Sequence, residues 1–324
     1  MHGDHIVCIS HGEDADGLIC AALLANLRGA KPILVTYEEF KGALIDVNYP
    51  TEELYICDLC VRDELIGEIL RIAEFARVII VDHHPTAEAL LRRLERSGVQ
   101  VVYSSKDCAS VLLYDQNKVE LGREGARLAA YAAVSDQFED GPIASRIISM
   151  FDRQILEHEA LILTHALFRI TSNDFRQRVV EELGRYIIPH RISGLVEAAV
   201  SHLEHMASLM EEIQSKAVRL GRLAYFDASD EPSTGAVANL ILDVLDVDVG
   251  VSYKPAIGGR VNISIRGRRG IGLHLGEITR EVAMRHGGFG GGHDRASGAS
   301  IHKEKLVRFI EDLEMALSQP LKPF

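Results

Sequence analysis

The stretch VDHHP (residues 81–85) follows the apolar run Val78-Ile79-Ile80 and sets an acid and two imidazoles where that run stops. A short apolar run bounded by polar residues suits a strand buried on both faces. The pattern recurs. HIVCIS (5–10), PILVTY (32–37), ELYICD (53–58), VIIVD (78–82) and VQVVYS (99–104) are separated by helix-patterned stretches, among them DGLICAALLANLRG (16–29), RDELIGEILRIAEFA (62–76) and TAEALLRRLERSG (86–98). This alternation predicts an α/β domain over residues 1–140, a five-stranded parallel sheet flanked by helices. Sheets of this kind bind ligands at the carboxyl ends of their strands, which is where Asp82, His83 and His84 fall.

Beyond residue 140 the alternation ends. Residues 141–221 read as a helical insert and connector, closing with the periodic stretch VEAAVSHLEHMASLMEEIQSKAVRLG (196–221). From 222 strand signals return in RLAYFDAS, VDVGVSYK and GRVNISIRG, with a helix across TGAVANLILDVLD and a turn from Pro255 to Gly259. A smaller α/β domain over 222–324 is expected, ending in a helix, a glycine cluster, a short strand and a last helix.

The 324 residues are 47% hydrophobic and 25% charged, ordinary globular composition with room for two cores. No apolar run approaches the roughly 20 residues of a membrane span, and MHGDHIVCIS lacks the marks of a signal peptide, so a soluble cytoplasmic protein without membrane partners is expected. The five cysteines have no framework spacing, and the pair Cys57 and Cys60 has no second pair to complete a zinc site. A formal charge of −12 excludes a whole-surface electrostatic grip on nucleic acid. Any anionic substrate must be held locally, by metal ions or a small basic cluster.

Several presumed strand ends carry ligand-type side chains. SHGEDADG supplies His11, Asp14 and Asp16; ELYICD supplies Asp58; VIIVDHH supplies Asp82, His83 and His84; and AAVSDQFED supplies Asp136 after Leu128 to Val134. Taken singly, each has a structural explanation as a cap, a turn or a polar strand exit. Together they would converge on one edge of one sheet. Carboxylates mixed with imidazoles suit Mn²⁺, Mg²⁺ or Zn²⁺. His158, His165, His202 and His205 lack a third ligand and read as a hydrated helix face.

These residues resemble the DHH phosphoesterase superfamily. His11 with Asp14-Ala15-Asp16 is similar to its first motif, Asp58 to its second, Asp82-His83-His84 to the motif that names it, and Asp136 to its fourth. The resemblance implies one metal held by His11, Asp14 and Asp58 and a second held by Asp16, Asp58, His83 and Asp136, with Asp58 bridging. It implies that His84 points to the scissile phosphate and that Asp82 orients its neighbours. HGGFGGGHDRASGASI (286–301) resembles the glycine-rich signature of the associated DHHA1 domain. Gly290, Gly291, Gly292 and His293 would form an anion-binding cup, and Arg266 would contact a phosphate. Arg268 and Arg269 read equally well as a solvated hairpin end. The resemblance covers residues 5–140 and about 222–318.

What it implies is a phosphodiesterase with two Mn²⁺ ions, or Mg²⁺ or Co²⁺ in their place. Nothing resembling G-x-S-x-G or a P-loop competes with that chemistry. The expected reaction is exonuclease action on short single-stranded RNA or DNA, releasing nucleoside monophosphates in the 3′-to-5′ direction, as in RecJ-like and nanoRNase-type enzymes. Only 6% aromatic residues and no Trp favour a short substrate over a long tracked strand. The alternatives are a phosphatase or phosphodiesterase for small nucleotides (3′-phosphoadenosine 5′-phosphate, cyclic or linear dinucleotides) and a RecJ-like subunit of a replication or repair complex. The helical stretch could serve as a homodimer face or dock such a partner.

Overall fold

The computed structural model describes residues 5–48 and 50–318. The chain divides into two compact units, Met1–Leu203 and Glu204–Phe324. The stretch 141–221 therefore does not form a unit of its own: its residues up to 203 pack with the first sheet, and 204–221 belong with the second.

In the first unit the chain runs β1 (Ile6–His11), α1 (Ala15–Arg28), β2 (Lys31–Val35), α2 (Phe40–Asp46), β3 (Glu53–Cys57), α3 (Ile66–Ala73), β4 (Arg77–Asp82), α4 (Glu88–Arg96) and β5 (Gln100–Tyr103). The helices α5 (Ala109–Gln116), α6 (Lys118–Ser135), α7 (Ala144–Ile148), α8 (Arg153–Leu167) and α9 (Asn173–Gly184) follow, and α10 (Leu195–Lys216) continues into the second unit. All five strands are parallel, in the order β2-β1-β3-β4-β5. Strand side chains alternate between two apolar layers. Val7, Ile9, Leu54, Ile56, Val78 and Ile80 pack with Phe40 and Leu44 of α2, Ile69 of α3 and Leu94 of α4. Cys8, Tyr55, Cys57, Ile79 and Val81 face the other way, toward Leu18 and Leu23 of α1, Val111 of α5 and Ala129 of α6. Burial on both faces explains why these strands read as continuous apolar runs.

The chain leaves β1 toward β2 on one side, and β3 lies on the other. Loops at the carboxyl ends of β1 and β3 therefore diverge and leave a crevice. The β1 end is held close to α1. Asp14 caps α1, accepting from the Gly17 amide at 3.0 Å. A Cβ on Gly17 would lie 2.1 Å from the His11 carbonyl oxygen, so only glycine allows this approach.

The second unit contains β6 (Val218–Leu220), β7 (Leu223–Asp227), α11 (Thr234–Leu245), β8 (Val249–Ala256), β9 (Arg260–Gly267), α12 (Leu275–Arg285), β10 (Phe289–Gly292), β11 (Ala296–His302) and α13 (Leu306–Ser318). Its sheet is mixed, in the order β10-β11-β9-β8-β7-β6, and only β7 with β8 is parallel. One face packs Val251, Ile263 and Ile265 against Val282 of α12 and Phe309 of α13. The other packs Ala224 and Phe226 against Val237 and Ile241 of α11. The periodic stretch expected to stay helical to 221 stops at Lys216, and 218–220 is a strand instead.

Replacing Gly17 with Ala should push the end of β1 away from α1. We expect a loss of about 2–3 kcal/mol in chemical denaturation, the cost of overpacking a closed contact.

Candidate metal centre

The functional side chains come from strand ends and from adjoining helix ends: Asp16 lies in the first turn of α1, and Asp136 follows α6, where a strand was expected from Leu128 to Val134. His11 is the last residue of β1 and Asp82 the last of β4, while Asp58 directly follows β3. The Asp58 amide continues the ladder by donating to the Val81 carbonyl at 2.9 Å. Its backbone then turns left-handed (φ 57°), a conformation Asp tolerates better than most residues. Ladder bond and turn together hold its carboxylate, fully buried, over the crevice.

Around it the distances are short. Asp58 Oδ1 lies 3.1 Å from His83 Nε2, and Asp58 Oδ2 lies 3.6 Å from His11 Nδ1. His83 Nε2 is also 3.5 Å from Asp136 and 3.9 Å from Asp16, and its ring stands edge-on to Phe138. His11 Nδ1 pairs with Asp14 at 2.7 Å. Three sets of donors each gather within 4.8 Å of one another: His11, Asp14 and Asp58; Asp16, Asp58, His83 and Asp136; and Asp58, His83 and His84. Asp58 belongs to all three.

Two polar atoms here, His11 Nε2 and Asp58 Oδ2, are buried without a hydrogen-bond partner. Such atoms are costly unless something satisfies them. Burial, then the Asp14 and Asp16 charges, push the Asp58 carboxyl well above its ordinary range. Burial, then Asp16 and Asp14, push Asp136 up to about 8. Burial alone would depress the His11 imidazole, but Asp14 and Asp58 outweigh it and raise it to about 10. Crowded carboxylates and unpartnered donor atoms are what a divalent cation would relieve, and this oxygen and nitrogen set fits a hard or borderline ion.

Asp82 and His84 are arranged differently. Asp82 Oδ1 accepts from the His84 amide at 3.3 Å and lies 2.8 Å from His84 Nδ1, and His84 Nε2 lies 2.8 Å from the Tyr37 hydroxyl.

Three contributors were not among the residues read from sequence: Ser110, Tyr37 and Phe138. Asp16 is anchored at the start of α5 by the amides of Ala109 (2.7 Å) and Ser110 (2.8 Å). Cys108, the residue preceding that helix, supplies no side-chain cap. The signal lay in a polar SSKDCAS segment before an apolar helix, but nothing in it named a partner 93 positions away. Tyr37 was visible only as an aromatic residue closing an apolar run, at the carboxyl end of a strand in the same sheet. Phe138 stands two residues after Asp136.

The family model of the DHHA1 domain matches residues 222–319. A solved structure described as the DHH domain of a member of a family of ribosomal proteins aligns with 98% of this chain and 88% of its own, at TM-score 0.67 and 17% identity. The chain has the fold of DHH-domain proteins, with a DHHA1 domain over residues 222–319. The pGpG-specific phosphodiesterase PggH of Vibrio cholerae aligns with 96% of this chain and 98% of its own, at TM-score 0.58 and 14% identity. RecJ of Thermus thermophilus in complex with Mn²⁺ aligns with 98% of this chain and 52% of its own, at TM-score 0.58 and 16% identity. An uncharacterized protein of Methanocaldococcus jannaschii is 30% identical over 128 residues, 37% of this chain and 27% of that relative, so the match spans about a quarter of the relative's length.

Within the DHHA1 domain, Gly290, Gly291 and Gly292 are not a loop. They form the edge strand β10, paired with Ala299, Gly298 and Ser297. A Cβ on Gly276 of α12 would lie 2.1 Å from the Gly292 carbonyl oxygen, so a helix start lies directly on this backbone. His293 is exposed in the turn to β11, its amide donating to the Ala296 carbonyl. The Arg266 guanidinium lies against Gly235 at the start of α11, bonded to the Ile265 carbonyl, and makes no ion pair among the described residues. Arg268 instead pairs with Asp246 at 2.6 Å, so its charge is already engaged. His202 stacks on Phe168 and His165, while His205 pairs with Glu231 at 3.0 Å. The two histidines have different partners. No helix among the described residues is long and apolar enough to cross a membrane.

Asp136 and His11 both have folded values above their unfolded ones. Each therefore stabilises the metal-free fold at low pH, and that contribution is lost as pH rises through about 8 for Asp136 and about 10 for His11. Metal-free protein should melt at a lower temperature at pH 9 than at pH 6, and saturating Mn²⁺ should narrow that gap. A hundredfold excess of Mn²⁺ over its Kd should stabilise the native chain by about 2.7 kcal/mol. Asp58→Asn should lose most of that gain in the same thermal titration.

Proposed function

We propose that this chain is a metal-dependent phosphodiesterase, a 3′-to-5′ exonuclease that removes nucleoside monophosphates from short single-stranded RNA or DNA with Mn²⁺. The observation that carries the reading is the sharing of Asp58 among donor sets whose buried atoms, His11 Nε2 and Asp58 Oδ2, lack partners. His11, Asp14 and Asp58 would hold one ion, and Asp16, Asp58, His83 and Asp136 the other. When bound there, two such ions would supply a water acidic enough to attack at neutral pH and would neutralise charge on the phosphoryl oxygens.

The chain's own residues do the rest. The Ala109 and Ser110 amides fix the Asp16 carboxylate, so its orientation is set before any ion arrives. Asp82 fixes one nitrogen of His84, whose ring we assign to the scissile phosphate. Phe138 packs edge-on against the His83 ring, with centroids 4.7 Å apart, and holds its orientation. Arg266, without an ionic partner among the described residues, is our assignment for a second phosphate contact. Gly290 to His293 of the second unit are our assignment for an anion contact. Mg²⁺ or Co²⁺ are the alternative ions.

A second reading is hydrolysis of small nucleotides, linear dinucleotides foremost. It is favoured by the likeness in extent and fold to a phosphodiesterase described as specific for pGpG. We further propose a cytoplasmic location and a helical stretch that serves as a homodimer face or docks a replication or repair partner.

With Mn²⁺ and 5′- or 3′-labelled RNA and DNA trinucleotides, the native chain should release monophosphates stepwise from the 3′ end. No monophosphate from oligomers of any length would end the exonuclease reading, and turnover confined to pGpG would select the second. Asp136→Ala should lower kcat by more than about 100-fold with its circular dichroism unchanged, since even residues that only orient metal ligands are worth roughly 10–100-fold.

A further inference from the structure

Tyr37 has no part in the roles assigned so far, yet its hydroxyl lies 2.8 Å from His84 Nε2. The other ring nitrogen, Nδ1, lies 2.8 Å from Asp82 Oδ1, which also accepts from the His84 amide. An ionised carboxylate only accepts, so Nδ1 carries the proton. In the neutral ring Nε2 is then an acceptor, and the phenol donates to it. Both nitrogens are thus engaged, in a chain Asp82–His84–Tyr37 with one donor at each link.

The phenol is held from both ends. Its ring leans on His11, centroids 4.9 Å apart. Its backbone sits in a turn between β2 and α2 closed by reciprocal bonds, the Thr36 amide to Glu39 Oε2 at 2.9 Å and the Glu39 amide to Thr36 Oγ1 at 3.3 Å. Phe40, the first residue of α2, is 1% exposed and donates its amide to the Thr36 carbonyl, anchoring the turn to the core. Tyr37 itself is 37% exposed, so burial of its ring does not explain its place. The hydroxyl contact with His84 does.

We propose that Tyr37 is a positioning residue for the reaction: with Asp82 it fixes the tautomer and ring orientation of His84, so that this imidazole meets substrate already aligned. The proposal rests on the phosphodiesterase reading for its effect on rate, but not for the contact itself. Tyr37→Phe keeps the ring on His11 and removes only the O–H.

Two measurements test it. In metal-free full-length protein, long-range ¹H–¹⁵N spectra should show His84 as the Nδ1–H tautomer with a hydrogen-bonded Nε2. Tyr37→Phe should move the Nε2 resonance downfield by several ppm. An unmoved resonance would overturn the proposal whether or not a substrate has been found. On whichever phosphodiester the native chain cleaves, Tyr37→Phe should lower kcat/KM about 10-fold, the low end for partners that orient a functional group. In a His84→Ala background the same change should cost less than about twofold, because a residue acting through His84 has nothing left to act on. Equal losses in both backgrounds, or no loss in the native one, would overturn it. A native chain inactive on every phosphodiester would instead sink the functional reading and leave the spectra to decide the contact.

Discussion

The first unit is organised around the burial of one carboxylate. Asp58 is placed at the crevice between diverging strands by a ladder bond to Val81 and a left-handed turn, neither of which solvates its charge. Asp14, Asp16 and Asp136 crowd it, and their combined charge opposes its ionisation. Such an arrangement costs stability in a metal-free chain and is relieved by a divalent cation. The rest of the site keeps that crowding in place. Asp16 is pinned by the start of α5, Asp14 by the start of α1, and His83 by Phe138.

Much of this was legible in the sequence because parallel strands leave a simple record. Burial on both faces makes each strand a short apolar run, and the first polar residues after the run mark its carboxyl end. His11, Asp58 and Asp82 could be placed that way without knowing strand order. Asp136 was also read as following a strand, but the apolar stretch before it belongs to the helix α6, so the residue was found for the wrong local reason. Tyr37 and Ser110 were hidden for another reason. A hydroxyl that orients a neighbour carries no pattern of its own, and its partner is set by packing between residues 47 or 94 positions apart.

The second unit shows the limit of reading glycines by composition. The resemblance implied an anion-binding cup at Gly290 to His293, and Gly290 to Gly292 form a paired edge strand. A Cβ on Gly290 would meet Thr279 and Ala283 of α12 at 3.1 and 3.2 Å and one on Gly292 would meet β11, whereas one on Gly291 would meet nothing within 4 Å; α12 in turn closes on the Gly292 carbonyl through Gly276. Close approach to a ligand and close approach to a helix demand the same residue, so sequence alone does not separate them. The arginines did separate once partners were known. Arg268 is neutralised by Asp246, whereas Arg266 has no ionic partner among the described residues.

In the proposed site Asp58 would be shared by two cations. Electron paramagnetic resonance of the Mn²⁺-loaded chain tests it most directly, because two ions bridged by one carboxylate couple magnetically and lone ions do not. Two Mn²⁺ per chain with a spin-coupled spectrum are expected in the native protein, with loss of that coupling in Asp58→Asn. A single ion per chain, or two ions with the uncoupled six-line pattern of isolated Mn²⁺, would contradict it.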